Sequence, residues 1–106
     1  MAKIIEVNNE SISFDDGSYI TYDHEQDCCE TNYADFEQLE DIAYTEDFDT
    51  NSLVFESVDG GFRFGNEDNM FFIPCYSEQN GYYTTQIDIY YNDERVLSTE
   101  CNLNLI

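Results

Sequence analysis

Apolar and polar positions alternate over most of the chain, and short turn signals break the alternation into runs. Ile12 and Phe14 share one parity, as do Ile20, Tyr22 and His24, and again Ile87, Ile89 and Tyr91. Cys101, Leu103 and Leu105 repeat the pattern near the end. A period of two places one face of a strand in a core and the other in water. Asn8-Asn9, Asp16-Gly17, Asp59-Gly60-Gly61, Asn80-Gly81 and Asn92-Asp93 stand between these runs. Such pairs tolerate the positive φ angles of tight hairpins, so a hairpin is expected at each point. Tyrosines fall on both faces of the run 82–91, and its outer face is expected to be partly covered. Pro74, the only proline, has no N–H to give a ladder and is expected at a strand edge or bulge.

One stretch departs from this rhythm. In NYADFEQLEDIAY, residues 32–44, Tyr33, Phe36, Leu39 and Ala43 fall at helical spacing with Ile42 beside them. Asp35, Glu37, Glu40 and Asp41 occupy the remaining face, the pattern of an amphipathic α-helix. Thr31 or Asn32 is suited to cap it, and Asp35 would lie in its favourable first turn. Glu40 and Asp41 would meet the negative end of the helix dipole, so something other than local stability retains them. The expected fold is α+β: an antiparallel meander sheet of about seven or eight strands with one packed α-helix.

Charge narrows what such a domain can do. The 106 residues carry 24 acidic and 3 basic side chains, a formal net charge of −21. A hydrophobic share of 42%, with 16% aromatic residues, is too high for a disordered acidic tail and supports a packed core. The length fits a single domain over residues 1–106. Lys3, Arg63 and Arg95 cannot neutralise this surface, which must repel anions and attract cationic surfaces. Direct binding to nucleic acid or to an anionic membrane is unfavourable on that ground. With no signal-peptide pattern and no apolar span, a cytoplasmic setting is expected, with Cys28, Cys29, Cys75 and Cys101 reduced.

The run DHEQDCCETNYADF, residues 23–36, gathers the only histidine, two adjacent cysteines and five carboxylates. His24, Asp27, Cys28 and Cys29 are competent zinc ligands, yet adjacent cysteines on extended chain point to opposite sides. A nucleophilic thiol wants a positive environment, and these sit among Glu25, Asp27 and Glu30. The bland alternative is a hydrogen-bonded core histidine and a small buried cysteine. DFDTN (47–51) and GNEDN (65–69) offer oxygen ligands without the spacing of a calcium loop and read as solvated turns. No cofactor, metal or enzymatic activity is expected.

Two stretches carry a resemblance. HEQDCCE (24–30), followed by Glu40-Asp41-Ile42, and CYSEQNGYYTTQIDI (75–89) together resemble a family of small domains of unknown function found widely in bacteriophage and bacterial genomes. That family has a His-x-Gln-Asp-Cys-Cys-Glu core and a later Ser-Asn-Gly-Tyr-Tyr hairpin; Gln79 stands here in place of the serine. The resemblance implies a shared fold and a phage-type setting, and no activity.

Charge and setting together lead to an expected function. The chain reads as a non-enzymatic phage or mobile-element protein that binds a basic nucleic-acid-handling host protein. In its sharpest form it inhibits a defence nuclease, as an anti-CRISPR protein does, by nucleic-acid mimicry or by occupying a basic groove. The expected contacts are Asp35, Glu37, Glu40 and Asp41 on the helix, Glu46, Asp47 and Asp49 on the following loop, and Tyr44 as an aromatic anchor. The alternatives are an accessory module docking through Tyr82, Tyr83 or Tyr90, and a metal-binding domain centred on His24, Cys28 and Cys29.

Overall fold

A computed structural model describes residues 1–23, 31–79, 81 and 85–105. Among them the chain forms eleven strands: β1 (Ala2–Val7), β2 (Ser11–Phe14), β3 (Tyr19–Asp23), β4 (Thr31–Ala34), β5 (Asp47–Phe48), β6 (Val54–Val58), β7 (Gly61–Asn66), β8 (Asn69–Gln79), β9 (Gln86–Tyr91), β10 (Glu94–Glu100) and β11 (Asn102–Leu105). One sheet has the order β10-β9-β3-β2-β1-β5, antiparallel throughout. The second runs β11-β8-β7-β6, with β4 also paired to β8. All its pairings are antiparallel except β11 on β8.

The alternation carries through to packing in β2, β3 and β9, but not at the end of the chain, where Leu103 is exposed. Ile12 and Phe14, Ile20, Ile87 and Ile89 bury their side chains from the first sheet, and Phe62, Phe64, Ile73 and Cys75 from the second. Phe48 ties the two together. It stacks on Phe64 at 5.7 Å and meets the edges of Phe14 and Phe71 at 5.5 and 5.6 Å. Phe55 of β6 meets Tyr91 of β9 at 5.6 Å in the same way. At one margin Thr99 of β10 donates to the Gly61 carbonyl (2.6 Å) and accepts from the Ser57 hydroxyl (2.8 Å), which closes β10 against β6 and β7.

The α+β expectation is overturned: with 63% strand and 8% helix among the described residues, this is a mostly β fold. Among the described residues the helical element is one 3₁₀-helix, Phe36–Ile42. Phe36, Leu39 and Ile42 recur every three residues, the 3₁₀ repeat, so they stack on one line against the core. Phe36 and Leu39 are buried there. Tyr33, which completed the α-helical pattern, belongs to β4 opposite Tyr76. Asn32 is also in β4, so neither it nor Thr31 caps a helix.

The single meander is corrected as well. Hairpins form at Asn8-Asn9, Asp16-Gly17, Asp59-Gly60 and Asn92-Asp93. A further one, at Glu67-Asp68, joins β7 to β8. The hairpin expected at Asn80-Gly81 falls on residues outside those described; of the strands on either side, β8 and β9 lie in different sheets. Pairing with β7 and β4 holds β8 in the second sheet, while β3 and β10 flank β9 in the first. Pro74 is buried inside β8 rather than at an edge. It lies where pairing passes from β7 to β4 and β11, and its carbonyl accepts the Asp35 amide at 2.9 Å.

Candidate functional site

The 3₁₀-helix projects Glu37, Glu40 and Asp41 into solvent, with Asp35 half-buried at its N-cap. The Asp35 carboxylate makes no capping bond. Its Oδ2 accepts from the Gln38 side chain at 3.4 Å. No basic residue stands in the last turn to answer Glu40 and Asp41.

The acids that follow are committed to the fold. Asp47 pairs with Lys3 at 2.6 Å across β1 and β5. The Asp49 carboxylate accepts the Asn51 amide, while its backbone exchanges two bonds with the Asn66 side chain. Between them Phe48 points inward, so this pair of acids flanks and pins the central ring of the core. Glu46 accepts from Asn69 at 3.3 Å. Tyr44 is 66% exposed at φ +67°, and its hydroxyl donates to the Ile5 carbonyl at 2.7 Å. The expected contact set thus divides: Asp35, Glu37, Glu40 and Asp41 form one acidic face, with Tyr44 just beyond it. Asp47 and Asp49 hold β5 in place.

A cleft of about 430 Å³ opens beside the start of the 3₁₀-helix. Among the described residues it is lined by Asn9, Tyr22, Tyr33, Ala34, Asp35, Phe36 and Glu37. The Tyr22 ring meets Phe36 edge-on at 5.6 Å, and its hydroxyl donates to the Asn9 carbonyl. The Tyr33 ring leans on Tyr76, and its hydroxyl donates to Glu78. Burial, followed by the Glu10 carboxylate, pushes the Tyr22 phenol up; burial, followed by Glu78, does the same to Tyr33. Both rings therefore stay neutral in a negative field. Sequence reasoning missed this cleft because Tyr33 read as helical and Tyr22 as an ordinary core position.

Further carboxylates line the outer face of the first sheet. Asp23 lies directly opposite Asp88 across β3 and β9. Like charges at such a pair oppose folding; the Ser98 hydroxyl donates to Asp88 and moderates this. Only the register brings these two together, and no spacing in the sequence reports it. Tyr90 shares that face as the cross-strand partner of Thr21.

His24, Cys28, Cys29, Tyr82 and Tyr83, on which the metal and accessory-module readings rest, lie outside the described residues. Among the described residues no group of three or more His, Cys, Asp and Glu side chains is placed to hold a metal ion. Cys75 and Cys101 are buried free thiols. The contact with Cys101, together with burial, pushes the Cys75 thiol up, which makes it a poor nucleophile. No helix among the described residues is long and apolar enough to cross a membrane.

These features define a class: an acidic, mostly β domain of two packed sheets whose exposed chemistry is carboxylate and tyrosine. Within that class the chain belongs to the DUF7448 family, a domain of unknown function, whose model matches residues 1–89. No curated protein and no solved structure matches the chain.

Proposed function

We propose that this domain is a non-enzymatic binding protein that docks its carboxylate surface on a basic groove of a nucleic-acid-handling protein. One observation carries the reading. Three basic side chains can neutralise the charge of at most three of 24 carboxylates, and Lys3 and Arg63 are already paired with Asp47 and Glu56. The charge of the Glu37–Asp41 face is therefore answered from outside the molecule. A rigid negative face of this kind steers association with a basic partner and makes it strongly salt-dependent. The narrower form of the proposal, an inhibitor of a defence nuclease in a phage-type setting, draws on the motif resemblance and the same charge.

Affinity capture from a bacterial host lysate tests it, run at low and at high salt. A basic nucleic-acid-binding protein should be retained at low salt and released at high salt, and E37Q/E40Q/D41N should reduce its capture. If no such protein is enriched at low salt, the proposal fails.

A further inference from the structure

We infer that Cys75 and Cys101 are a redox latch: a small-molecule disulfide oxidises the two thiols to one protein disulfide, which ties the strand β11 to β8. The inference does not rest on the function proposed above.

The strand register brings the two residues together. β11 pairs with β8 in parallel, with Asn102 opposite Tyr76. One step back along both strands puts Cys101 beside Cys75. Adjacent strands lie about 4.8 Å apart, inside the span of about 4.4–6.8 Å that Cα atoms take across a disulfide. Backbone bonds fix both positions: the Cys75 amide donates to the Gly60 carbonyl at 2.9 Å, and the Cys101 amide to the Thr85 carbonyl at 2.7 Å. Both side chains are buried in the same core, as free thiols in contact with each other.

In the closed fold the pair is protected. The contact with Cys101, and then burial, keep the Cys75 thiol protonated, and the thiol is a far weaker nucleophile than its thiolate. Reaction therefore goes through opening of β11. That strand is suited to open. It is four residues long, it pairs with β8 alone among the described residues, and its Leu103 is 47% exposed. Segments with so little burial open at low cost in free energy. Once in water, the Cys101 thiolate attacks one sulfur of the small disulfide and expels the first thiol. When β11 returns, Cys75 gives up its proton and attacks the Cys101 sulfur, which expels the second. Two protein thiols and one small disulfide thus become one protein disulfide and two small thiols, which carry off both protons. The new bond closes the loop 75–101 and restrains the strand whose opening allowed it.

Trypsin separates the candidates for this chemistry. Its cleavage sites, Lys3, Arg63 and Arg95, place Cys28 and Cys29 on peptide 4–63, Cys75 on 64–95 and Cys101 on 96–106. The folded full-length chain is treated with cystamine, a cationic disulfide that an acidic surface attracts. Remaining thiols are alkylated, and the chain is digested without reduction. Mass spectrometry should find 64–95 joined to 96–106 as the main linked species, two hydrogens lighter than the separate peptides, and dithiothreitol should release it. Amide exchange in β11 should slow about tenfold on oxidation and recover on reduction. Links of either peptide to 4–63 in place of this one would overturn the inference. So would cystamine adducts without the link, or β11 exchange that oxidation leaves unchanged.

Discussion

At Gly65 the backbone takes φ +146°, and a Cβ there would lie 2.3 Å from the carbonyl oxygen of Asn69. Both problems arise together, and neither is relieved without drawing β7 away from β8. Gly65→Ala is expected to cost about 2–4 kcal/mol, read as a lower urea midpoint at unchanged slope. Gly17 offers the contrast: φ is +92° and nothing lies within 4 Å of its missing Cβ, so Gly17→Ala should cost only about 1 kcal/mol. The first requirement is hidden in the sequence, since it depends on where β8 runs. The second is visible as Asp-Gly. Beside Gly17, the Ser18 hydroxyl, the Thr50 hydroxyl and the Ser18 amide hold Asp16 below the usual carboxylate range. A depressed folded pKa gives stability that is present above the unfolded value and lost as pH falls through the folded one. The stability gap between wild type and Asp16→Asn should therefore be open near about pH 6 and close below about pH 3; at this exposed site it will be small. A gap that persists in acid would show that the hydrogen-bond geometry matters rather than the charge.

The 3₁₀-helix shows why an element's type is harder to read than its existence. Phe36, Leu39, Ile42 and their acidic neighbours mark an amphipathic turn-forming stretch, and that much was legible. The period was not, because Tyr33 and Ala43 extend the apolar set to a 3.6-residue repeat until β8 claims Tyr33 for a strand. The separation of β8 from β9 is hidden for the same reason: pairings with β4 and β7, distant in sequence, assign β8 to the second sheet. The candidate cleft inherits this difficulty, since it draws Tyr22 from β3, Tyr33 from β4 and Asp35 from the helix start. Within the helix, Glu40 and Asp41 face the negative end of the backbone dipole with no basic residue nearby in the last turn. E40Q/D41N should therefore raise stability, by about 0.3–1 kcal/mol, while it lowers capture of a basic partner. Leu39→Ala, which removes a buried side chain from the same turn, should cost about 2–5 kcal/mol and so separates packing from charge. Thermal unfolding of both variants beside wild type decides it; a destabilised E40Q/D41N would mean that these acids support the fold.

At the scale of the molecule, net charge and size set how far each carboxylate is felt. The described chain measures 43 × 21 × 21 Å. At about 0.01 M salt the screening length is about 30 Å, so charges on one face repel those on the other; at 1 M it is about 3 Å, and only immediate neighbours interact. A net charge of −21 on so small a body works against the folded state at low salt. The melting temperature should rise with sodium chloride from about 0.01 M and level off as screening approaches side-chain spacing. Affinity for a basic groove must move the other way, because the same ions screen that attraction. Wild type measured across one salt series, for melting and for partner capture, should therefore give curves of opposite slope. E37Q/E40Q/D41N should flatten the capture curve more than the melting curve, since it removes three carboxylates from the proposed docking face and leaves most of the total charge in place. If acidity served only to keep the protein in solution, melting would still rise with salt. Capture would then be absent at every point, and the three substitutions would change nothing but the melting curve.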